Sequence, residues 1–328
     1  MSENTNNGMK KIDELFEQAK KSIEEKDAQA EIAIAKVRSA NGAEQDGDAE
    51  SRWIRAAAAQ GNLLAQKELA KAYSRGRFGL KVNRGETVKW FRKAAEQGDS
   101  EAQYELSLCY FHGRGVEKDT AESVKWLRKS AEQGYYRAQC ELGICYVRGE
   151  YVEEKDERKG INLLWKAAQQ ESDRALYRLA TYYTHGVGVE EDETTAFCLY
   201  LSAARLGHVK AMLFVAYAYY HGRVVKQDFT EAVRWLRKAE RRGDIIATIN
   251  LATCYYRGQG VDQDFCKAFN LYTKGYQKTT SDSAFKYIAA LRLAECYSKG
   301  RGVEANAEEA KRWEGIAKEG MQKQQIED

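Results

Sequence analysis

The strongest constraint on this 328-residue chain is a glycine that returns at a nearly fixed interval. It stands at Gly76, Gly113, Gly149, Gly186, Gly222, Gly258 and Gly300, in successive steps of 37, 36, 37, 36, 36 and 42 residues. Three residues before each glycine is a tyrosine: Tyr73, Tyr110, Tyr146, Tyr183, Tyr219, Tyr255 and Tyr297. Four residues before that is Leu69, Leu106, Leu142, Leu179, Val215, Leu251 or Leu293. A spacing of four puts the two columns on one helix face. The glycine closes the helix, because it takes the left-handed conformation at no steric cost. Small residues follow the Leu column (Ala70, Ser107, Gly143, Ala180, Ala216, Ala252, Ala294) and let a neighbouring helix approach. Length alone suggests roughly two domains, but a period of this kind means stacked like units.

A second helix begins at an Asp or Asn column: Asp46, Asn83, Asp119, Asp156, Asp192, Asp228, Asp264 and Asn306. These side chains suit an N-cap, typically worth about 1 kcal/mol. Glu86, Glu122, Glu231 and Glu309 stand three residues further on, in the pattern of a reciprocal capping box. Seven residues after the cap is a large apolar column, Trp53, Trp90, Trp126, Leu163, Leu199, Trp235, Leu271 and Trp313, which reads as core. Small pairs such as Ala94-Ala95 and Ala203-Ala204 end this helix. Each unit is a helix hairpin that buries its apolar face only by stacking. There is no proline, and none is needed where Gly ends one helix and Asp or Asn starts the next.

These columns resemble the Sel1-like repeat family, relatives of the tetratricopeptide repeats. The resemblance rests on A-x3-L-(small)-x2-Y-x2-G-x-G-V-x2-D-x6-W-x3-AA-x2-G, and Ala102 to Gly134 is its clearest copy. Two copies depart from it: Gly149-Glu150-Tyr151-Val152 replaces Gly-x-Gly-Val, and Gly275-Tyr276 replaces Ala-Ala before an insertion near 277–285. The expected fold is all-α, a right-handed α-solenoid of about seven helix-turn-helix repeats with divergent capping helices. Residues 1–8 are expected as a disordered tail and 321–328 as a polar C-terminal tail, 9–61 as N-terminal capping helices and a degenerate half-repeat, and 62–320 as the solenoid. The amphipathic stripe Ile12, Leu15, Phe16, Ala19 and Ile23 suits a cap on the first edge.

Charge and composition exclude little by themselves. Lys plus Arg number 52 against 49 Asp plus Glu, so the net charge of +3 gives no general reason to bind nucleic acid or an anionic membrane. No apolar run is long enough to span a bilayer and the N-terminus lacks a secretory core, so the expected location is the cytosol. Seven cysteines without CxxC spacing read as reduced thiols. Cys109, Cys145, Cys254 and Cys296 share one column with Ala72, Tyr182 and Ala218, the mark of a packing slot. There is no GxSxG, HExxH or P-loop, and the Gly-x-Gly loops join helices rather than following a strand. No enzyme activity, metal or cofactor is expected.

One column is basic or titratable throughout: Arg75, His112, Arg148, His185, His221, Arg257 and Lys299, each just before the helix-ending glycine. A cation there is favoured by the helix dipole. The alternative, functional reading of the same column is a basic rim facing an acidic or phosphorylated partner. The resemblance implies that the first helix of each repeat lines a concave face. Its inner columns then place Tyr104, Leu108, Phe111, Tyr177, Leu213, Tyr217, Tyr220, Ile249 and Tyr256 as partner contacts, with His112, Arg148, His185, His221 and Arg257 at the rim. The expected function is a scaffold or adaptor, favoured as a monomer, that holds a segment of another protein. The competing packing reading buries these side chains between adjacent helices. Self-assembly through the N-terminal helix or the last repeat edge is the alternative function, and an enzyme the remote one.

Overall fold

The computed structural model describes residues 47–279 and 284–327. The expected helix over 9–40, the 1–8 tail, the cap at Asp46 and the centre of the insertion lie outside these residues. All fifteen elements among the described residues are α-helices, and the chain divides after Ala167 into two compact units.

The first unit holds α1 (Gly47–Ala59), α2 (Leu63–Arg75), α3 (Arg84–Glu96), α4 (Ser100–His112), α5 (Thr120–Glu132), α6 (Tyr136–Arg148) and most of α7 (Glu157–Ala168). Helix α2 packs on α3 and α4 on α5 to form hairpins, while α3 on α4 and α5 on α6 join one hairpin to the next. The second unit holds α8 (Asp173–His185), α9 (Glu193–Leu206), α10 (Val209–His221), α11 (Phe229–Arg241), α12 (Ile245–Arg257), α13 (Phe265–Lys278), α14 (Ala284–Lys299) and α15 (Ala307–Glu327). Its hairpins are α8 with α9, α10 with α11, α12 with α13 and α14 with α15, and they stack in the same way. Each unit is thus an α-solenoid of consecutive helix pairs. Helix α15 continues to Glu327, through residues expected as a polar tail.

The columns occupy the positions their chemistry demands. Leu69, Leu106, Leu142, Leu179, Val215, Leu251 and Leu293 are all buried. The helix-ending glycines have φ between 63° and 69°. Gly143 shows why the neighbouring column is small: a Cβ there would lie 2.9 Å from the carbonyl oxygen of Gly160, so α6 and α7 meet backbone to backbone. Gly275 has a similar reason, since a Cβ in that slot would lie 2.8 Å from Ile249. Trp90, Trp126 and Trp235 are buried, with the ammonium groups of Lys93, Lys129 and Lys238 over their rings at 4.5, 4.4 and 3.9 Å.

The caps form, but the capping box is corrected. Asn83, Asp119 and Asp228 accept from the backbone N–H of Glu86, Glu122 and Glu231, as N-caps should. Their own backbone N–H groups, however, donate to the carbonyls of Tyr73, Tyr110 and Tyr219. The same link joins Asp156 to Tyr146, Asp192 to Tyr183, Asp264 to Tyr255 and Asn306 to Tyr297. The repeat tyrosine's carbonyl takes the donor that a box glutamate would satisfy. The glutamates therefore pair forward instead: Glu86 with Lys89, Glu122 with Lys125, Glu231 with Arg234 and Glu309 with Arg312.

Candidate partner-binding face

The expected rim residues are exposed in both units: His112 and Arg148 in the first, His185, His221 and Arg257 in the second. The inner columns divide. Tyr104 is buried against Leu127 and Ala131, with its ring 5.4 Å from that of Tyr135. Ile249 packs among Ala268 and Tyr272, and Tyr256 lies edge-on to Phe265 at 5.3 Å. These three belong to the stack between helices and are not available as contacts. Leu108 and Phe111 are half-buried, Phe111 resting edge-on against Tyr151 at 5.3 Å.

Of the expected inner contacts only Tyr217 is exposed, and it lies on α10. Its sequence, VKAMLFVAYAYYH, is apolar around nearly the whole circumference. A helix of that kind is ordinarily buried on all sides. Here Ala211, Met212, Val215, Ala216 and Ala218 are buried, while Tyr217 is 50% and Phe214 45% exposed. Leu213 and Tyr220 are half-buried beside them. Tyr217 borders two hollows, one of about 260 Å³ shared with Leu213, Tyr220, His221 and Thr253, the other of about 140 Å³ shared with Phe197, Phe214 and Val224. Phe214 was not among the expected contacts because it stands one residue before the Leu column and outside the inner columns. The unbroken apolar character of α10 was the available signal.

Polar groups set the edges of this face. The Tyr220 hydroxyl donates to Gln259 Oε1 at 2.6 Å and accepts from Arg257 Nη1 at 3.3 Å. Arg223 pairs with Glu193 at 2.9 Å, and Tyr217 and Glu193 both favour its charged form. Tyr177 stacks on His208, with centroids 4.2 Å apart and planes at 19°. Burial lowers the His208 pKa, and its Nδ1 accepts from the Ala211 N–H as the cap of α10, which suits the neutral ring. Among the described residues no group of three or more His, Cys, Asp or Glu side chains is placed to hold a metal ion. No helix among them is long and apolar enough to cross a membrane.

The Sel1 repeat family matches seven segments: 63–99, 100–135, 137–172, 173–208, 209–244, 245–279 and 288–313. The chain belongs to the Sel1 repeat family. The segments follow the helix pairs, the last of them covering only parts of α14 and α15. Among solved structures, this Sel1 repeat chain is similar to c5321, described as a protective antigen present in uropathogenic Escherichia coli strains and displaying an SLR fold. The two are 30% identical with a TM-score of 0.78, and the match covers 92% of this chain. The chain spans 64% of the antigen's length. It is also similar to a Sel1 repeat protein from Oxalobacter formigenes, at 32% identity and a TM-score of 0.63, over 67% of this chain and 90% of that one. A comparison with curated proteins finds no match.

Proposed function

We propose that this Sel1 repeat protein is a non-enzymatic adaptor that holds a segment of another protein on the α10 face. The observation that carries the reading is the exposure of Phe214 and Tyr217 on a helix with almost no polar residue to present. Aromatic side chains supply contact area at low entropic cost and are enriched where interfaces concentrate their energy. The hollows on either side of Tyr217 suit apolar side chains of a bound segment. His221 and Arg257, both exposed at the edge, favour carboxylates flanking those side chains. Membership of a repeat family fits a binding role without naming a ligand, because stacking dictates most columns and a few surface positions carry specificity.

The test is affinity capture with mass spectrometry on the full chain and on a Phe214→Ser, Tyr217→Ser variant, with melting curves for both. Loss of a reproducible set of captured proteins by a variant that still melts cooperatively, only a few degrees lower for the lost Phe214 stacking, supports the face. Capture of the same set by the variant overturns it.

A further inference from the structure

Several Gly-x-Gly loops land on the start of the second helix in the preceding repeat. A Cβ added at Gly115 would lie 2.1 Å from the Arg84 carbonyl oxygen, at Gly260 2.1 Å from that of Phe229, and at Gly302 2.0 Å from that of Phe265. The landing brings the middle residue of the loop beside the first residue of that helix. In the second unit these neighbours are matched. Arg301 lies over the Phe265 ring at 5.1 Å and donates to the Tyr256 hydroxyl at 2.8 Å. Gln259, beside Phe229, is held by the Tyr220 hydroxyl at 2.6 Å. At the equivalent positions one repeat earlier, Arg223 pairs with Glu193 at 2.9 Å.

In the first unit the corresponding residues are Arg84 and Arg114, two cations at one junction. They open, with Arg75 and Arg77, on a cleft of about 770 Å³ between α2, α3 and α4. Among the described residues none of these four guanidinium groups has an ion pair or a side-chain hydrogen bond. The carboxylates of the cleft do not balance them. Glu101 is matched by Lys67 at 2.7 Å and Lys71 at 3.0 Å, and Glu68 by Lys71 at 3.4 Å. Glu105 is half-buried, and its carboxyl is pushed up by burial and by Glu101 against the opposing pull of Arg137, Lys71 and Arg75.

We propose that this cleft binds a phosphoryl group carrying two or more negative charges, held by Arg84 and Arg114 with Arg75 and Arg77 around it. Four exposed guanidinium groups line one cleft, so a dianion can be met by two or more of them where a single carboxylate meets one. Guanidinium groups present paired N–H donors in a planar fork that fits phosphate oxygens bidentately. The volume lies within the roughly 300–1,000 Å³ of small-ligand sites. This site is separate from the α10 face and shares no residue with it.

The experiment follows thermal melting and calorimetric titration of the full chain in low-salt, phosphate-free buffer. The probes are inorganic pyrophosphate, a phosphoserine peptide, its unphosphorylated form and glutamate. A ligand bound only by the folded state raises the melting temperature in a saturable way. Pyrophosphate or the phosphopeptide is expected to do so, while glutamate and the unphosphorylated peptide are not. The stronger of the two active probes tells a free phosphate anion from a phosphorylated side chain. Arg84→Glu, which copies the Glu193–Arg223 pair, is expected to weaken binding at least roughly tenfold, the loss of one or two charge-assisted hydrogen bonds. Arg114→Gln, which copies Gln259, gives the same loss and stands in should the first variant fold poorly. Arg234→Gln, an exposed cation of the second unit, is expected to change nothing. A wild-type chain with no saturable shift, equal binding by the cleft variants, or glutamate as effective as phosphate overturns the proposal.

Discussion

The ring of Phe214 lies parallel to that of Tyr200, with centroids 4.5 Å apart and planes within 6°, and only Phe214 reaches solvent. The two halves of the stack are expected to behave differently when cut back to alanine. Tyr200→Ala empties a buried site and should cost about 3 kcal/mol or more. Phe214→Ala removes one exposed ring and the stacking itself, about 1 kcal/mol. Denaturant melts of the two variants check this, and equal losses would show that Phe214 is a core residue.

The thiols offer a second test. Burial pushes Cys109, Cys145, Cys254 and Cys296 up to about 11, while Cys198 and Cys266 are exposed. The thiolate is the reacting species. Brief alkylation of the native chain near neutral pH should label Cys198 and Cys266 and spare those four and the buried Cys140, as peptide mapping would reveal. Prompt labelling at Cys254 or Cys296 would contradict the packing assigned to that column.

His208 ties stability to pH. Desolvation lowers its pKa below the ordinary histidine value of 6.5, aided by Lys210, Arg178 and Arg174 and opposed by Asp173. As pH falls through that value, the unfolded chain takes up the proton before the folded one does. Stability should therefore decline on acidification from about pH 7 to pH 5. His208→Asn keeps a side-chain acceptor at the cap and removes the titration, so its melting temperature should fall less over the same range. Parallel curves for the two proteins would rule this source out.

Gly115 carries two separate constraints, and Gly98 supplies the control. Both have positive φ, 78° and 94°, but a Cβ at Gly98 meets nothing within 4 Å. Gly98→Ala is expected to lose about 1 kcal/mol, the left-handed penalty. Gly115→Ala adds a clash with the Arg84 backbone and should lose clearly more, above about 2 kcal/mol. Chemical denaturation of the pair separates the terms, and matching losses would mean that the loop moves away freely.

The periodic columns carried the hairpins and their caps because stacking repeats the same demand every 36 or 37 residues. Gly76 and its equivalents, the buried Leu column and the Asp or Asn caps could be read one residue at a time. The surface could not. Tyr104 and Tyr217 are both inner-column tyrosines, two residues before and two after the Leu column, yet one is buried and the other half exposed. Tyr135 covers Tyr104, whereas Tyr217 stands between two hollows. The capping box failed for a related reason. The competing acceptor was the carbonyl of a residue nine or ten positions away, and backbone carbonyls leave no mark on composition.

The loops that land on the preceding repeat give the array a direction. Gly115, Gly260 and Gly302 each fasten the start of a helix that the chain has already laid down, so a hairpin is completed by its successor rather than by itself. Shortening the array from its C-terminal side unlatches the newest remaining hairpin, whereas trimming whole repeats from the N-terminal side leaves every later latch in place. A chain emerging from the ribosome would close in the same order, one latch behind synthesis.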